Sequence, residues 1–482
     1  MKYYSKRIVG KVRVITILCC FILSIIAQGM TIIRAASKER VIRYNGKNHT
    51  YSKSAVRIGV NDKEAKTPFG GVIIDDIALI PAKYVFTMSE LNTSYCFDTK
   101  KQQVILESEE HQVEIPLNKE YMYVDGKKKK LEKPAMKVYD VQMKKTSIML
   151  PARNVSNALG FVYKWNDSSV SSNIYTKDYL EETDVSKNYT LKISKPNDME
   201  EGAYEVYDNY WEKEFIISFQ EDYMEFFEEN PIEQKKDNIK SVTVKEGKNG
   251  ETKILIKTSK IQGFEVTETK NALYIKTDTP QKIYDKIVVI DPGHGGSEPG
   301  AKGNSIVEKD KVLEIARYIK QHFDDNQEIK AYFTRLDNSV TGMTAGSGKI
   351  KNSQMSLAAR YNFANEINPD LFISIHINSF GSSPNGTETY YSSKNTSKND
   401  WGMTSKELAN RMQSAVQEVI GRQNRGVKVN SNLAVLTHTN TPAALLEIAF
   451  LSNKVDSEIL KDEYKMKELS EAIYTTIVEA FD

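Results

Sequence analysis

Residues 286–310, KIVVIDPGHGGSEPGAKGNSIVEKD, restrict the fold more than any other stretch of the chain. The apolar run from Ile287 to Ile290 stops at Asp291 and Pro292 and enters a turn rich in glycine, which reads as a buried strand ending abruptly. Beyond the turn, Val312, Ile315, Ala316, Ile319 and Phe323 follow the spacing of a helix with one buried face, so Glu308 falls in that helix's first turn. The turn carries His294, and Gly293, Gly295 and Gly296 around it let the backbone approach a bound group closely. A phosphate cradle would need a Lys-Ser/Thr pair after the glycines, and none follows. A plain tight turn is the simpler alternative.

From Ile283 onward, helical patterns alternate with short apolar runs, the texture of an α/β domain. Strands are expected at Ile287 to Ile290, Ile329 to Thr334, Leu371 to His376, Ala434 to Thr437 and Ala443 to Ile448. Helices are expected near 308–323, 356–367, 403–421 and 466–481. Residues 284–482 should therefore form an α/β domain with a mixed, largely parallel sheet flanked by helices. A chain of 482 residues exceeds one ordinary core, so a multidomain protein is expected. Residues 40–180 contain two half repeats. Asn45-Gly46 and Asp125-Gly126 open them, and Pro81-Ala82-Lys83 and Pro151-Ala152-Arg153 recur before the aromatic pairs Tyr95/Phe97 and Tyr163/Trp165. An α+β module follows from this repeat. Residues 185–281 read as β-rich, with the acidic stretch Met224 to Lys240 expected as a long loop.

Charge is nearly balanced, with 66 basic and 64 acidic residues, and nothing points to nucleic acid. The balance is uneven along the chain. Residues 1–36 contain Lys2, Lys6, Arg7, Lys11, Arg13 and Arg34 and no acid, leaving the remainder at about −4. With an apolar run from Val14 to Ala27 and small residues at Ala35 and Ala36, this segment reads as a signal peptide. The alternative is an uncleaved anchor over residues 14–33. Export to the cell wall is expected, with membrane contact only if the segment is retained. Beyond it lies one cysteine, Cys96, so no internal disulfide is available; Cys96 reads as a small buried apolar residue. His49 and His111 stand alone, without partner ligands nearby. The run Lys127 to Lys130 is a solvated hairpin or a contact for anionic wall polymers.

His294 follows one expected strand, His376 ends another in Leu371-Phe-Ile-Ser-Ile-His, and Glu447 interrupts a third in Leu445-Leu-Glu-Ile-Ala-Phe. Strand ends of an open α/β sheet converge on one crevice. Polar groups inside apolar runs need partners, and a metal would satisfy several together. Two imidazoles and a carboxylate are the ligand set of a catalytic zinc, which activates water near neutral pH. A second carboxylate would then move the proton from the water to the departing nitrogen. His294, Glu308 and His376 are assigned as ligands and Glu447 as that base, although spacing alone allows Glu308 and Glu447 to exchange roles. A single histidine at a strand end is more often structural; the four residues together carry the assignment.

The segments Val288-Val-Ile-Asp-Pro-Gly-His-Gly-Gly296, Val307-Glu-Lys-Asp310, Ser374-Ile-His-Ile-Asn-Ser379, Gly386-Thr-Glu-Thr-Tyr-Tyr391 and Ala444 to Asn453 resemble the zinc-dependent N-acetylmuramoyl-L-alanine amidases in order and spacing. The resemblance implies one zinc per chain on His294, Glu308 and His376, with Glu447 catalytic. The implied substrate is peptidoglycan, cut at the amide between muramic acid and the stem's L-alanine. Arg335 and Arg360 also match motif positions, where salt bridges or helix packing are expected. Residues 40–180 resemble the stalk-like domain named after the copper amine oxidase N-terminus, without implying copper. Residues 185–281 are similar in texture to the wall-binding AMIN module, with a plain spacer as the alternative. The loop Ser339 to Met355 is longer than usual for the amidases, and little chain lies between Tyr391 and the helix near 403 for a self-blocking helix. His438, beside the strand that precedes Glu447, is a candidate substrate contact. The competing functions are a wall-binding protein without activity and a zinc hydrolase of another wall amide.

Overall fold

A computed structural model describes residues 40–338 and 357–481, apart from Asp237 and Asn249. The proposed export segment 1–36 and the loop 339–355 lie outside the described residues. The chain divides into two compact units at Lys187. Among the described residues no helix is long and apolar enough to cross a membrane.

In the first unit, sheets of six, five and four strands enclose the main core. The two half repeats meet directly. Strand Ile77–Pro81 runs antiparallel to Lys145–Pro151, with Leu79 opposite Pro151 and Pro81 opposite Met149. Each proline hands over to a short helix, Ala82–Phe86 or Ala152–Ala158, as a residue with fixed φ at a helix start allows. Cys96 is exposed, contrary to the expectation of burial. Strand periodicity turns its neighbours Tyr95 and Phe97 toward the core and Cys96 to the other face.

In the second unit, residues 188–278 form two four-stranded sheets around one core, including Ile193, Ile217, Ile254 and Ile275. One of these sheets contains the hairpin of β1 (Tyr204–Asn209) and β2 (Glu214–Phe219). The stretch Met224 to Lys240 is not a long loop: it contains helix Met224–Glu229 and the start of strand Ile239–Glu246. Phe227 is the reason, since it is buried and ties the helix to the core despite its acidic neighbours.

The C-terminal part is built on β3 (Lys286–Pro292), α1 (Glu308–Asp325), β4 (Ile329–Phe333), α2 (Leu357–Ile367), β5 (Leu371–Asn378), β6 (Thr387–Tyr391), α3 (Ser405–Ile420), β7 (Asn424–Val429), β8 (Ala443–Phe450) and α4 (Glu463–Glu479). The six strands form one sheet in the order β4-β3-β5-β8-β6-β7, all neighbours parallel except β6 with β8. Val288 and Ile290 pack into the core that α1, α3 and α4 cover, whereas Ile287 and Val289 pack into the one containing α2. A strand buried on both faces reads as an unbroken apolar run, and β3 does. Acids at Glu308 and Asp310 suit the positive end of α1, and Thr404 caps α3 by accepting from Glu407 N.

Two strands, β6 and β7, were not among those expected, and the expected strand Ala434 to Thr437 is a short helix. Local bonds, Thr437 N to Leu433 O at 3.0 Å and His438 N to Ala434 O at 2.9 Å, decide the latter. Four apolar residues are too few for periodicity to separate strand from helix.

Candidate metal centre

The parallel strands β3 and β5 end side by side, and the chain leaving each of them enters the same crevice. His294 sits two residues past β3 in the left-handed region, φ 61°, a conformation rare for residues with a side chain and one that surrounding structure must hold. Two buried arginines hold it. Arg335 donates to the carbonyls of Pro292 (2.9 Å), Gly293 (2.6 Å) and Lys309 (2.8 Å). Arg360, on α2, donates to Pro292 O at 2.9 Å, to His294 O and to the Asp291 carboxylate. Asp291 is fully buried and also accepts from Thr334 Oγ1 (2.6 Å) and Ser374 Oγ (2.8 Å). Burial alone would raise its pKa, but the Arg360 guanidinium and these donors hold it below the ordinary value.

Three donor atoms meet in this crevice. His294 Nε2 lies 2.9 Å from Glu308 Oε1, and His376 Nδ1 lies 3.0 Å from each of them. A first-row cation with tetrahedral bonds of about 2.0–2.1 Å spaces its ligands roughly 3.3 Å apart, so the triangle fits such an ion within a few tenths of an ångström. The group is the metal-capable cluster found among the described residues. Space for it is kept by glycine: a Cβ on Gly293 would fall 2.2 Å from His376 Cε1, and one on Gly300 would fall 2.5 Å from Glu308 Oε2. Glu308, the first residue of α1, is fixed by backbone donors as well, Ile377 N to Oε1 at 2.9 Å and Ala301 N to Oε2 at 2.8 Å. Burial opposes ionisation of Glu308, but bonds to His294 and His376 outweigh it and keep the carboxylate well below its ordinary range. Burial likewise lowers the His294 pKa, and the carboxylates of Glu308 and Glu298 more than offset it, so the imidazole is raised.

Glu298 is not among the residues that the sequence singles out. Its carboxylate lies 2.6 Å from His294 Nδ1, where it accepts that N–H and turns the Nε2 lone pair toward the triangle. Nothing in the sequence separates Glu298 from a solvated loop acid. Asp291 and Glu388 were also missed. Asp291 shares the signal that identified Glu447, an acid at the end of an apolar run, whereas Glu388 lies between threonines and gives no such signal.

Glu447 lies outside the triangle, on β8, in register opposite His376 on one side and Glu388 on the other. Its Oε2 is shielded from solvent and has no hydrogen-bond partner among the described residues. Burial, then the negative charges of Glu308 and Glu388, push its pKa well above the ordinary glutamate value. Glu388 is the opposite case, since Asn378 Nδ2 (2.8 Å), Tyr390 OH (2.6 Å), Arg425 Nε (2.6 Å) and Lys428 all donate to it. Two facing carboxylates are thus driven apart in proton affinity, as in sites that divide acid and base roles.

The other candidates are not members of this cluster. His438 is exposed at the end of the helix Ala434–Thr437, its ring centroid 5.2 Å from that of Tyr361. His49 stacks on Tyr44, and His111 Nδ1 lies 2.8 Å from Asp125 Oδ2. Between Tyr391 and Ser405 the chain is turns and one bridge, with no helix.

Comparison with known proteins matches residues 288–479 to the N-acetylmuramoyl-L-alanine amidase family and residues 59–174 to the copper amine oxidase N-terminal domain. An uncharacterized cell wall amidase of Bacillus anthracis is 33% identical over 214 residues, 44% of this chain but only 39% of that relative's length. The sporulation-specific N-acetylmuramoyl-L-alanine amidase of Bacillus subtilis is 31% identical over 195 residues, 40% of this chain and 68% of the relative. Among solved structures, the catalytic domain of CwlV, an N-acetylmuramoyl-L-alanine amidase from Bacillus (Paenibacillus) polymyxa var. colistinus, is 32% identical. That match has a TM-score of 0.34 and covers 40% of this chain and 97% of the solved one.

Proposed function

Because this chain belongs to the N-acetylmuramoyl-L-alanine amidase family, we propose that it hydrolyses the amide joining N-acetylmuramic acid to the stem-peptide L-alanine of peptidoglycan, using one zinc ion held by His294, Glu308 and His376. The observation that supports this reading best is the triangle of donors 2.9–3.0 Å apart, with a buried carboxylate oxygen of Glu447 on the neighbouring strand that has no hydrogen-bond partner among the described residues. Zinc bound there would supply Lewis acidity toward a water and toward the scissile carbonyl. The chain supplies the rest. Glu298 keeps His294 in the tautomer whose Nε2 can coordinate, and Arg335 and Arg360 keep the loop in its left-handed turn. Glu447 takes the proton from the attacking water and passes it to the departing alanine nitrogen. Burial and the neighbouring carboxylates raise its proton affinity, which favours holding the proton between the two halves of that task.

The remaining assignments follow from export. Residues 1–36 direct secretion, residues 40–180 and 185–281 place the 284–482 domain in the wall, and the lysine strand Lys127–Lys130 is available to anionic wall polymers.

Digestion of purified peptidoglycan tests the reaction. The full chain should release new alanine amino groups without new sugar reducing ends or stem-internal amines, Glu447→Ala should release none, and chelation followed by zinc should remove and restore the activity. Activity that survives exhaustive chelation, or new reducing ends in place of alanine amines, would overturn the assignment.

A further inference from the structure

The hairpin β1–β2 of the middle region reaches the C-terminal sheet at a point that matters for His294. β4 is the outermost strand of that sheet, and the outward backbone groups of its last residue, Phe333, would lack a strand partner. The hairpin tip supplies one. Phe333 N donates to Tyr210 OH at 3.0 Å, and Trp211 Nε1 donates to Phe333 O at 2.9 Å. Asp208 pairs with Lys330 of the same strand at 2.6 Å. The Tyr210 ring packs 4.9 Å from Tyr332 and 5.9 Å from Phe363, centroid to centroid, so it belongs to the core under α2. Glu366 of α2 is held twice from the middle region, by Lys213 Nζ at 2.7 Å and by Ile261 N at 2.9 Å.

The two gripped elements are the ones that carry the arginines. Arg335 is two residues beyond Phe333, and Arg360 lies on α2 ahead of Phe363 and Glu366. Those arginines hold the carbonyls of Pro292, Gly293 and His294. We propose that the hairpin tip, through Tyr210, Trp211 and the Glu366 contacts, is a positioning element of the active site, so that the middle region is part of the hydrolase and not a spacer. Hydrogen bonds run from the hairpin to β4 and α2 and from the two arginines to the loop carbonyls, and the left-handed backbone so held at His294 sets the direction of its imidazole. This inference rests on the reading of His294 as a zinc ligand.

The test uses the full chain carrying Tyr210→Phe with Trp211→Phe, which removes the Tyr210 OH and Trp211 Nε1 bonds to Phe333 but keeps aromatic rings in place, and separately Glu366→Ala, which removes the acceptor of Lys213 Nζ and Ile261 N. Zinc affinity is measured by competition with a chromogenic chelator, and kcat and KM on soluble muramoyl peptides. A direct hydrogen-bond partner of a ligating side chain is worth about 10- to 100-fold in metal affinity, and the clamp, which acts through the arginines, should reach the lower end of that range, about tenfold. Both variants should show that weakening with lower kcat and a KM within about twofold of wild type. Ile254→Val, in the middle region's own core, should lower Tm while leaving zinc affinity unchanged. Wild-type zinc affinity in both clamp variants, or an equal loss in Ile254→Val, would overturn the proposal. If the double variant does not fold, Glu366→Ala decides alone. A wild-type chain that binds no zinc would instead overturn the reading of the site, and the inference with it.

Discussion

Gly293 and Asp291 show how much of the site depends on groups outside the donor triangle. A methyl group at Gly293 would have to occupy the position of the His376 ring, 2.2 Å away, and that ring is held by its neighbours. Gly293→Ala should therefore leave a folded protein with far less than one zinc per chain and activity down about 100-fold, read by elemental analysis and peptidoglycan hydrolysis. Asp291→Asn acts differently. It strips the counter-charge from Arg360 in a fully buried place, and breaking such a pair costs about 3–5 kcal/mol, measurable by urea unfolding at neutral pH. The sign of the pH effect follows from the depressed pKa of Asp291. Its stabilisation is present in full above the ordinary value of 3.8 and is lost as the pH falls below that toward the folded value. The gap between wild type and Asp291→Asn should accordingly narrow in acid; a gap of undiminished size at the acid limit of folding would refute this account. Glu298 was invisible in the sequence for a simple reason: its role consists entirely of which histidine it lies beside.

Among the elements, β5, β6 and β8 divide the labour. β8 is parallel to β5 and antiparallel to β6, which sets Glu447 between His376 and Glu388 in register. A slip of one residue in either pairing would turn Glu447 to the other face of the sheet. Glu388 raises the proton affinity of Glu447 through its charge. Glu388→Gln removes that charge, so the Glu447 pKa should fall and the acid limb of the kcat–pH profile should move to lower pH. An acid limb that stays in place, or moves upward, would contradict the coupling. The helices α1 to α4 were legible from apolar spacing because their buried faces repeat over several turns. The strands β6 and β7 were not. Glu388 and Thr389 are buried polar residues, and they find their partners, Arg425 and Gln413, only once β7 and α3 are in place.

At the scale of the molecule, two compact units with separate cores should unfold separately. Calorimetry of the full chain is expected to resolve at least two transitions, and zinc should raise only the one belonging to residues 188–481. A ligand at 100 times its Kd stabilises the unit that binds it by about 2.7 kcal/mol. If zinc raised both transitions equally, or neither, the metal site would not belong to the second unit alone. The lower part of that unit, residues 188–278, shares core residues such as Tyr210 and Ile261 with the C-terminal sheet, so the two parts should melt together.

The sequence alone determined the strand, glycine turn and helix that bring His294 and Glu308 near each other, because period and turn chemistry are written within a few residues. It also marked His376 and Glu447, since a polar group inside an apolar run needs a partner. The tertiary structure decided which partner. The donor triangle, the pairing of Glu447 with Glu388, the Glu298 support and the capping of Phe333 by Tyr210 and Trp211 all join residues distant in the chain or through space. Contacts of that kind depend on register and packing, which no local pattern records. For the same reason Ala434–Thr437 coils into a helix: four residues carry too little periodicity to choose, and their surroundings chose for them.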